Sequence, residues 1–183
     1  MAKSILVVAE AKDGAPRQAS RECLGAALEL VRVWGGEAAA VVIGSGLDAP
    51  AAQLAQAGAA TVYQIDDPAY AIGAPEACGE ALVRLVRERH PDVVLFADGS
   101  LSRDLAAVVA VQADAALATD VVGLEPQADG SLRVVRPFYT GKLNASLTLH
   151  AKPVFVVTLR PNVFAPANGA AAGRVEKLAW KPS

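Results

Sequence analysis

The sequence predicts a mostly parallel β-sheet with helices on both faces, extended by antiparallel strands in its C-terminal half. Three observations carry this fold class. Short apolar runs of the buried-strand type alternate with amphipathic helical stretches over about residues 1–116. Glycine, proline and paired acidic residues punctuate the boundaries between them. From residue 117 the rhythm changes to strand-length runs joined by turns too short for helical crossovers. The 183 residues read as a single domain, 1–183, with a βα-repeating part over about 1–116 and an antiparallel extension over about 117–183.

The elements follow in order. Ile5 to Ala9 is an apolar run suited to a buried parallel strand, and Ala11 to Ala19, with Gly14 and Pro16, reads as a loop. Ser20 stands where it can cap a helix whose Leu24, Ala27, Leu28 and Val31 follow helical spacing. Gly35-Gly36 ends that helix with a left-handed residue. The second strand, Ala38 to Ile43, closes at Gly44-Ser45-Gly46. A short helix from Pro50 to Ala57 and a third strand from Thr61 to Ile65 come next. Asp66-Asp67-Pro68 breaks the chain before a longer helix from about Pro75 to Arg89, with Cys78, Leu82, Leu85 and Val86 on one face. Pro91 precedes a fourth strand over Val93 to Ala97, and Ser100 or Ser102 caps a helix reaching about Ala113.

Four further strands are expected over Leu117–Leu124, Leu132–Tyr139, Leu143–Leu149 and Val154–Leu159, with turns at Asp129-Gly130 and Thr140-Gly141. Antiparallel hairpins fit those connections. Pro161, Pro166 and the run from Asn168 to Gly173 form a mobile loop ahead of a last strand over Arg174 to Trp180.

Composition narrows the function. Hydrophobic residues make up 53% of the chain and charged residues 20%, enough for a sizeable core, while only 5% are aromatic. A formal net charge of -2 without a basic run argues against nucleic acid, whose binders concentrate Lys and Arg to neutralise phosphates. The apolar stretches are too short and interrupted for membrane insertion. The N-terminus enters its first strand at Ser4 without the basic start and long apolar middle of a secretion signal, so a cytoplasmic, prokaryotic protein is expected. A disulfide between Cys23 and Cys78 is possible in principle, but a reducing compartment favours two buried thiols. His90 and His150 lack companions at metal-ligand spacing, and His150, inside an expected strand, suits a core or interface position.

Catalytic patterns are wanting. The position after the first strand, where a nucleotide-binding sheet carries its phosphate cradle, reads Glu10-Ala11-Lys12-Asp13-Gly14, acidic with one glycine. Gly44-Ser45-Gly46 is either a plain turn or an approach to an anion. The helix start at Ser100-Leu101-Ser102-Arg103-Asp104 offers backbone N–H groups, but its own side chains can satisfy them, and Asp98 and Asp104 repel phosphate. No nucleophile–base pattern and no paired carboxylates stand out. Asp114 and Asp120 are read as solvated.

Four segments, in order and spread over nearly the whole chain, carry a family resemblance. They are Ile5-Leu6-Val7-Val8-Ala9-Glu10; Ser102-Arg103-Asp104-Leu105-Ala106 running through Val108-Val109-Ala110 to Leu117-Ala118-Thr119-Asp120-Val121; Arg136-Pro137-Phe138-Tyr139-Thr140-Gly141; and Leu159-Arg160-Pro161-Asn162-Val163-Phe164. Together they resemble the N-terminal domain of an electron transfer flavoprotein alpha subunit. The resemblance implies an adenine-nucleotide-hydrolase-like, Rossmann-type three-layer fold. It also implies a heterodimer with a beta subunit that carries electrons from dehydrogenases to a membrane quinone reductase or similar acceptor.

In that family the alpha subunit's second domain holds most of the FAD, and the structural nucleotide belongs to the beta subunit. The family's flavin motif does not occur in these residues, so FAD is expected in the complete heterodimer and none on this chain alone. The chain reads as a fragment or a separate gene product, its stop just after an expected strand favouring a fragment. Lys142-Leu143-Asn144 departs from the small Asn-containing turn the family would place after Gly141.

No catalytic, cofactor-binding or metal-binding residue is assigned, and the chain is read as an electron-carrier subunit rather than an enzyme. Arg103, Arg136, Tyr139, Arg160 and Asn162 are the interface candidates, because planar guanidinium donors suit polar interfaces. The plainer reading of the Arg-Pro pairs is that proline edges a strand. An alternative function is a stand-alone adenine-nucleotide-binding module resembling universal stress proteins. That module needs a Gly-rich loop where Ala97-Asp98-Gly99-Ser100 supplies only part of one.

Overall fold

The structure is a computed structural model that describes residues 2–70, 75–169 and 173–182. Strand β1 (Lys3–Ala9) leads through a small hairpin, β2 (Ala11–Lys12) and β3 (Ala15–Pro16), into helix α1 (Gln18–Trp34). The chain continues through β4 (Gly36–Gly44), α2 (Asp48–Gln56), β5 (Thr61–Asp66), α3 (Pro75–Arg89), β6 (Val93–Ala97) and α4 (Ser100–Gln112). The remainder is β7 (Ala116–Val121), β8 (Gly123–Pro126), β9 (Leu132–Phe138), β10 (Leu143–Leu149), β11 (Phe155–Leu159) and β12 (Arg174–Lys177).

The main sheet has seven strands in the order β12-β5-β4-β1-β6-β11-β7, with every neighbouring pair parallel. From β1 the chain adds β4 and β5 on one side, then crosses to add β6 on the other, so strand order reverses between β1 and β6. Alternating side chains of each central strand feed two cores. Ile5 and Val7 pack with Leu24, Leu30 and Leu54 on the α1–α2 side. Leu6 and Val41 pack with Leu82, Leu85 and Val109 on the α3–α4 side. This is why the central strands are apolar at consecutive positions.

The hairpin expectation holds for part of the C-terminal half. β8, β9 and β10 form a separate three-stranded antiparallel sheet. β7, β11 and β12 instead join the parallel sheet, correcting the reading that every strand after 116 pairs antiparallel. The excursion through β8–β10 turns the chain round, so β11 enters between β6 and β7 running in their direction. The expected strand Leu117–Leu124 is accordingly divided. β7 stops at Val121, and the Val122 N–H donates to the Val135 carbonyl at 2.8 Å, handing the chain to the second sheet.

Local corrections concern helix starts. α1 begins at Gln18 with Arg17 as N-cap, and α4 has Gly99 as N-cap, neither with a capping side-chain bond. Ser20 lies buried inside the first turn, where its Oγ accepts the Glu10 N–H at 2.8 Å and tethers the helix to the end of β1. Ser102 likewise turns inward, its Oγ donating to the Ala97 carbonyl at the end of β6. β10 ends at Leu149, which leaves His150 outside the strand and exposed.

Part of the expected mobile loop, 170–172, lies outside the described residues. Its flanks are held, since Ala167 N–H donates to the Arg21 carbonyl at 2.8 Å and Gly169 N–H to the Ala57 carbonyl at 3.0 Å. Gly36 shows why glycine follows α1. It adopts φ +100°, and a Cβ there would lie 2.0 Å from the Lys3 carbonyl oxygen of β1.

Candidate functional site

Parallel strands end together on one edge, and the reversal of strand order between β1 and β6 makes that edge the place where such sheets meet ligands or partners. Here the edge carries a continuous polar network. The Asp98 N–H, just past β6, donates to the Leu159 carbonyl at 2.7 Å. Its side chain, only 6% exposed, accepts from Arg103 Nε at 3.0 Å and from Thr158 Oγ1 at 2.5 Å. Thr158 is fully buried within β11, and its hydroxyl oxygen accepts the Asp120 N–H at 2.9 Å.

Asp120 then binds Arg160 through two parallel bonds, Nε to Oδ1 at 2.8 Å and Nη2 to Oδ2 at 2.7 Å. Asp120 adopts φ 58° where the β7–β11 register shifts between Val157 and Leu159, and the irregularity turns its carboxylate toward Arg160. On the α1 side, buried Glu22 accepts the Asn162 N–H at 2.7 Å and Gln18 Nε2 at 3.0 Å.

These contacts fix the charges. Burial pushes the Asp98 carboxyl up, but the hydrogen bonds from Arg103 and Thr158 outweigh it and hold the group below the usual carboxylate range. Arg103 and Arg160 are held above their ordinary value by their hydrogen bonds to Asp98 and Asp120. The result is a connected set of ion pairs at the carboxyl edge. Each guanidinium also carries N–H groups beyond those in its internal pair. The Gly44–Gly46 turn does receive an anion, but it is the chain's own Asp66, whose carboxylate accepts the N–H groups of Gly46 at 2.9 Å and Leu47 at 2.7 Å.

The second sheet presents a different surface. Leu132, Val134 and Leu149 at its base are buried against the α1-side core. Cross-strand pairing sets Val134 beside Leu147, Arg136 beside Ala145 and Phe138 beside Leu143, so the same face continues outward past the core. There Tyr139 is 75% exposed, Leu143 59% and Phe138 39%. Arg136 lies on this face, its guanidinium 4.8 Å from the Phe138 ring centroid and its Nε buried without an acceptor among the described residues. β10, the outer strand of this sheet, carries no charged residue.

The structure thus divides the interface candidates. Arg103, Arg160 and Asn162 come together on the carboxyl edge, while Arg136 and Tyr139 lie on the β9–β10 hairpin. Sequence reasoning missed Glu22 and Thr158, and it took Asp120 for a solvated residue although it is the anchor of Arg160. The available signal was a polar residue inside an apolar pattern: Thr158 within Phe155–Leu159, and Glu22 beside Cys23 and Leu24. Asp114 does face solvent, paired with Lys152 at 2.6 Å. Cys23 and Cys78 are free thiols, the first buried and the second half-buried. Among the described residues no helix is long and apolar enough to cross a membrane.

Comparison with known proteins adds a family. Residues 5–183 match the family model described as electron transfer flavoprotein domain. The chain is 35% identical over 173 residues to the electron transfer flavoprotein subunit alpha of Syntrophomonas wolfei, covering 94% of this chain and 53% of the relative. It is 31% identical to the same subunit of Thermoanaerobacterium thermosaccharolyticum, over 88% of this chain and 49% of that one. Protein FixB of Azorhizobium caulinodans is 33% identical over 88% of this chain and 44% of its own length. The chain therefore spans about half the length of the curated relatives it matches.

Proposed function

The chain belongs to the electron transfer flavoprotein domain family, and from that premise we propose that it is the docking platform of an alpha-type subunit. It holds a beta subunit and a separate FAD-bearing domain within a cytoplasmic complex. That complex carries electrons from dehydrogenases to a quinone reductase or similar acceptor, and the platform itself is no enzyme. The observation that carries this reading is the β9–β10 hairpin, where Phe138, Tyr139 and Leu143 are exposed beside Arg136, whose buried Nε lacks an acceptor among the described residues. An exposed apolar patch with an unanswered donor at its centre suits a protein partner that supplies apolar contacts and one carboxylate or carbonyl. Arg103, Arg160 and Asn162 on the carboxyl edge form the second, polar contact.

FAD does not fit this chain's own edge. Its pyrophosphate would meet Glu10, Asp98 and Asp120, whose cationic neighbours Arg17, Arg103 and Arg160 are already engaged in internal pairs, and the N–H groups of the nearby Gly46–Leu47 turn are already taken by Asp66. The same carboxylates disfavour an adenine nucleotide. One sheet that draws β11 and β12 from the last third of the sequence supports reading 1–183 as a single domain.

Calorimetric titration of the chain with an electron transfer flavoprotein beta subunit tests the proposal. Saturable one-to-one binding is expected, weakened about tenfold or more by Arg136→Ala or Tyr139→Ser. Absence of binding at micromolar concentrations, or binding untouched by both changes, overturns it.

A further inference from the structure

The strands of the main sheet are not held alike. β1, β6 and β11 are buried on both faces, whereas in the edge strand β12 Arg174, Val175 and Lys177 are exposed and Glu176 is half-buried. β12 pairs with β5 over four residues, and its backbone is tied by Arg174 N–H to the Ala60 carbonyl at 3.1 Å and Leu178 N–H to the Gln64 carbonyl at 2.8 Å. Its side chains grip the body through charge. Lys177 Nζ meets Asp48 Oδ1 at 2.7 Å, Glu176 pairs with Arg89, and the Arg84 guanidinium stacks 4.0 Å from the Trp180 ring centroid. Among the described residues, its apolar packing against the α3–α4 side comes from the partly buried Leu178 and Trp180.

Closing this strand also carries a polar penalty. Gln64, in register with Lys177, gives its Nε2 to Asp48 and Asp66 at 2.8 Å and 3.1 Å, but its Oε1 is buried without a donor among the described residues. Weak apolar burial, charged contacts from two separate helices, α2 and α3, and one unsatisfied acceptor together describe an element held near the balance point between docked and free.

We propose that residues 173–182 form an ionic clasp, in which β12 lifts off β5 as a unit while the rest of the sheet stays folded. Lifting opens the β5 edge and withdraws Trp180 from the groove between α3 and α4 that it lines. Gly173 seats the clasp when closed, since a Cβ there would lie 1.7 Å from the Ala59 carbonyl oxygen and no other residue brings the chain that close. The Lys177–Asp48 contact and its neighbours are exposed enough for salt to weaken them. The clasp is a property of this chain alone and stands apart from the partner reading.

Hydrogen exchange of the whole chain, read by mass spectrometry between about 10 mM and about 1 M salt, tests it, because the screening length falls from about 30 Å to about 3 Å over that range. Each exposed pair favours closure roughly two- to fivefold, so the amides of Arg174 and Leu178 should exchange roughly tenfold faster at high salt. Those of β1 and β6 should be unchanged. The double variant Glu176→Gln, Lys177→Gln should exchange fast already at low salt and lose most of the salt response. Exchange at 174–178 that is independent of salt, that moves in step with β1, or that is the same in the double variant as in the parent overturns the clasp.

Discussion

Replacing Asp98 with alanine removes the charge on which the carboxyl-edge network converges. The fully buried Thr158 hydroxyl loses its acceptor, and Arg103 loses its pair. A hydrogen bond to a charged group is worth about 1.5–3 kcal/mol, and an ion pair whose guanidinium is half-exposed adds only about 0.2–1 kcal/mol. The expected loss is therefore about 2–4 kcal/mol, equivalent to roughly 4–16 °C in Tm for a chain of this length. Urea titration of the parent, Asp98→Ala, Thr158→Val and the double variant measures it. The double variant should be more stable than additivity gives by about 1–2 kcal/mol, because the two groups share one bond.

Asp98→Asn isolates the charge and supplies a pH test. The Asp98 pKa is depressed in the folded protein, so its contribution is complete above the ordinary value of about 3.9 and is lost as pH falls through the folded pKa. The stability gap between parent and Asp98→Asn should be constant from about pH 5 to 7 and close in acid. A loss under about 0.5 kcal/mol for Asp98→Ala, or strict additivity in the cycle, refutes the reasoning.

Other expectations are simpler. Gly36→Ala adds a left-handed strain of about 1–2 kcal/mol to a backbone clash with Lys3, so it should lower the urea midpoint by more than either effect alone; a midpoint equal to the parent's contradicts the β1–β4 geometry. The Cys23 thiol is pushed far up by burial, then by the Glu22 and Glu10 charges, and burial also raises Cys78. Under native conditions at mild alkaline pH, mass spectrometry should find Cys23 unmodified by an alkylating reagent and Cys78 reacting more slowly than a free thiol. Prompt labelling of Cys23 would contradict the core.

Local chemistry was legible in the sequence, and long-range pairing was not. α3 and β6 have the expected bounds because Pro75 and the apolar run Val93–Ala97 are strong local signals. Ser20 and Ser102 look like caps from sequence. Each helix has its N-cap three residues earlier, at Arg17 and Gly99, which turns both hydroxyls toward the ends of the neighbouring strands, a position that local pattern does not reveal. The parallel entry of β11 depends on the whole β8–β10 excursion, whereas turn length informs only adjacent runs. The same limit hid the site. Arg103 and Arg160 could be singled out as guanidinium donors, but their acceptors lie five residues and forty residues away and meet only across β6, β11 and β7.

On the proposed function, the redox cofactor is gripped by protein other than this chain. Gel filtration of the purified chain after incubation with excess FAD, monitored for flavin colour in the protein peak, tests it most directly. A colourless peak is expected. Flavin eluting with the chain in stoichiometric amount would contradict it.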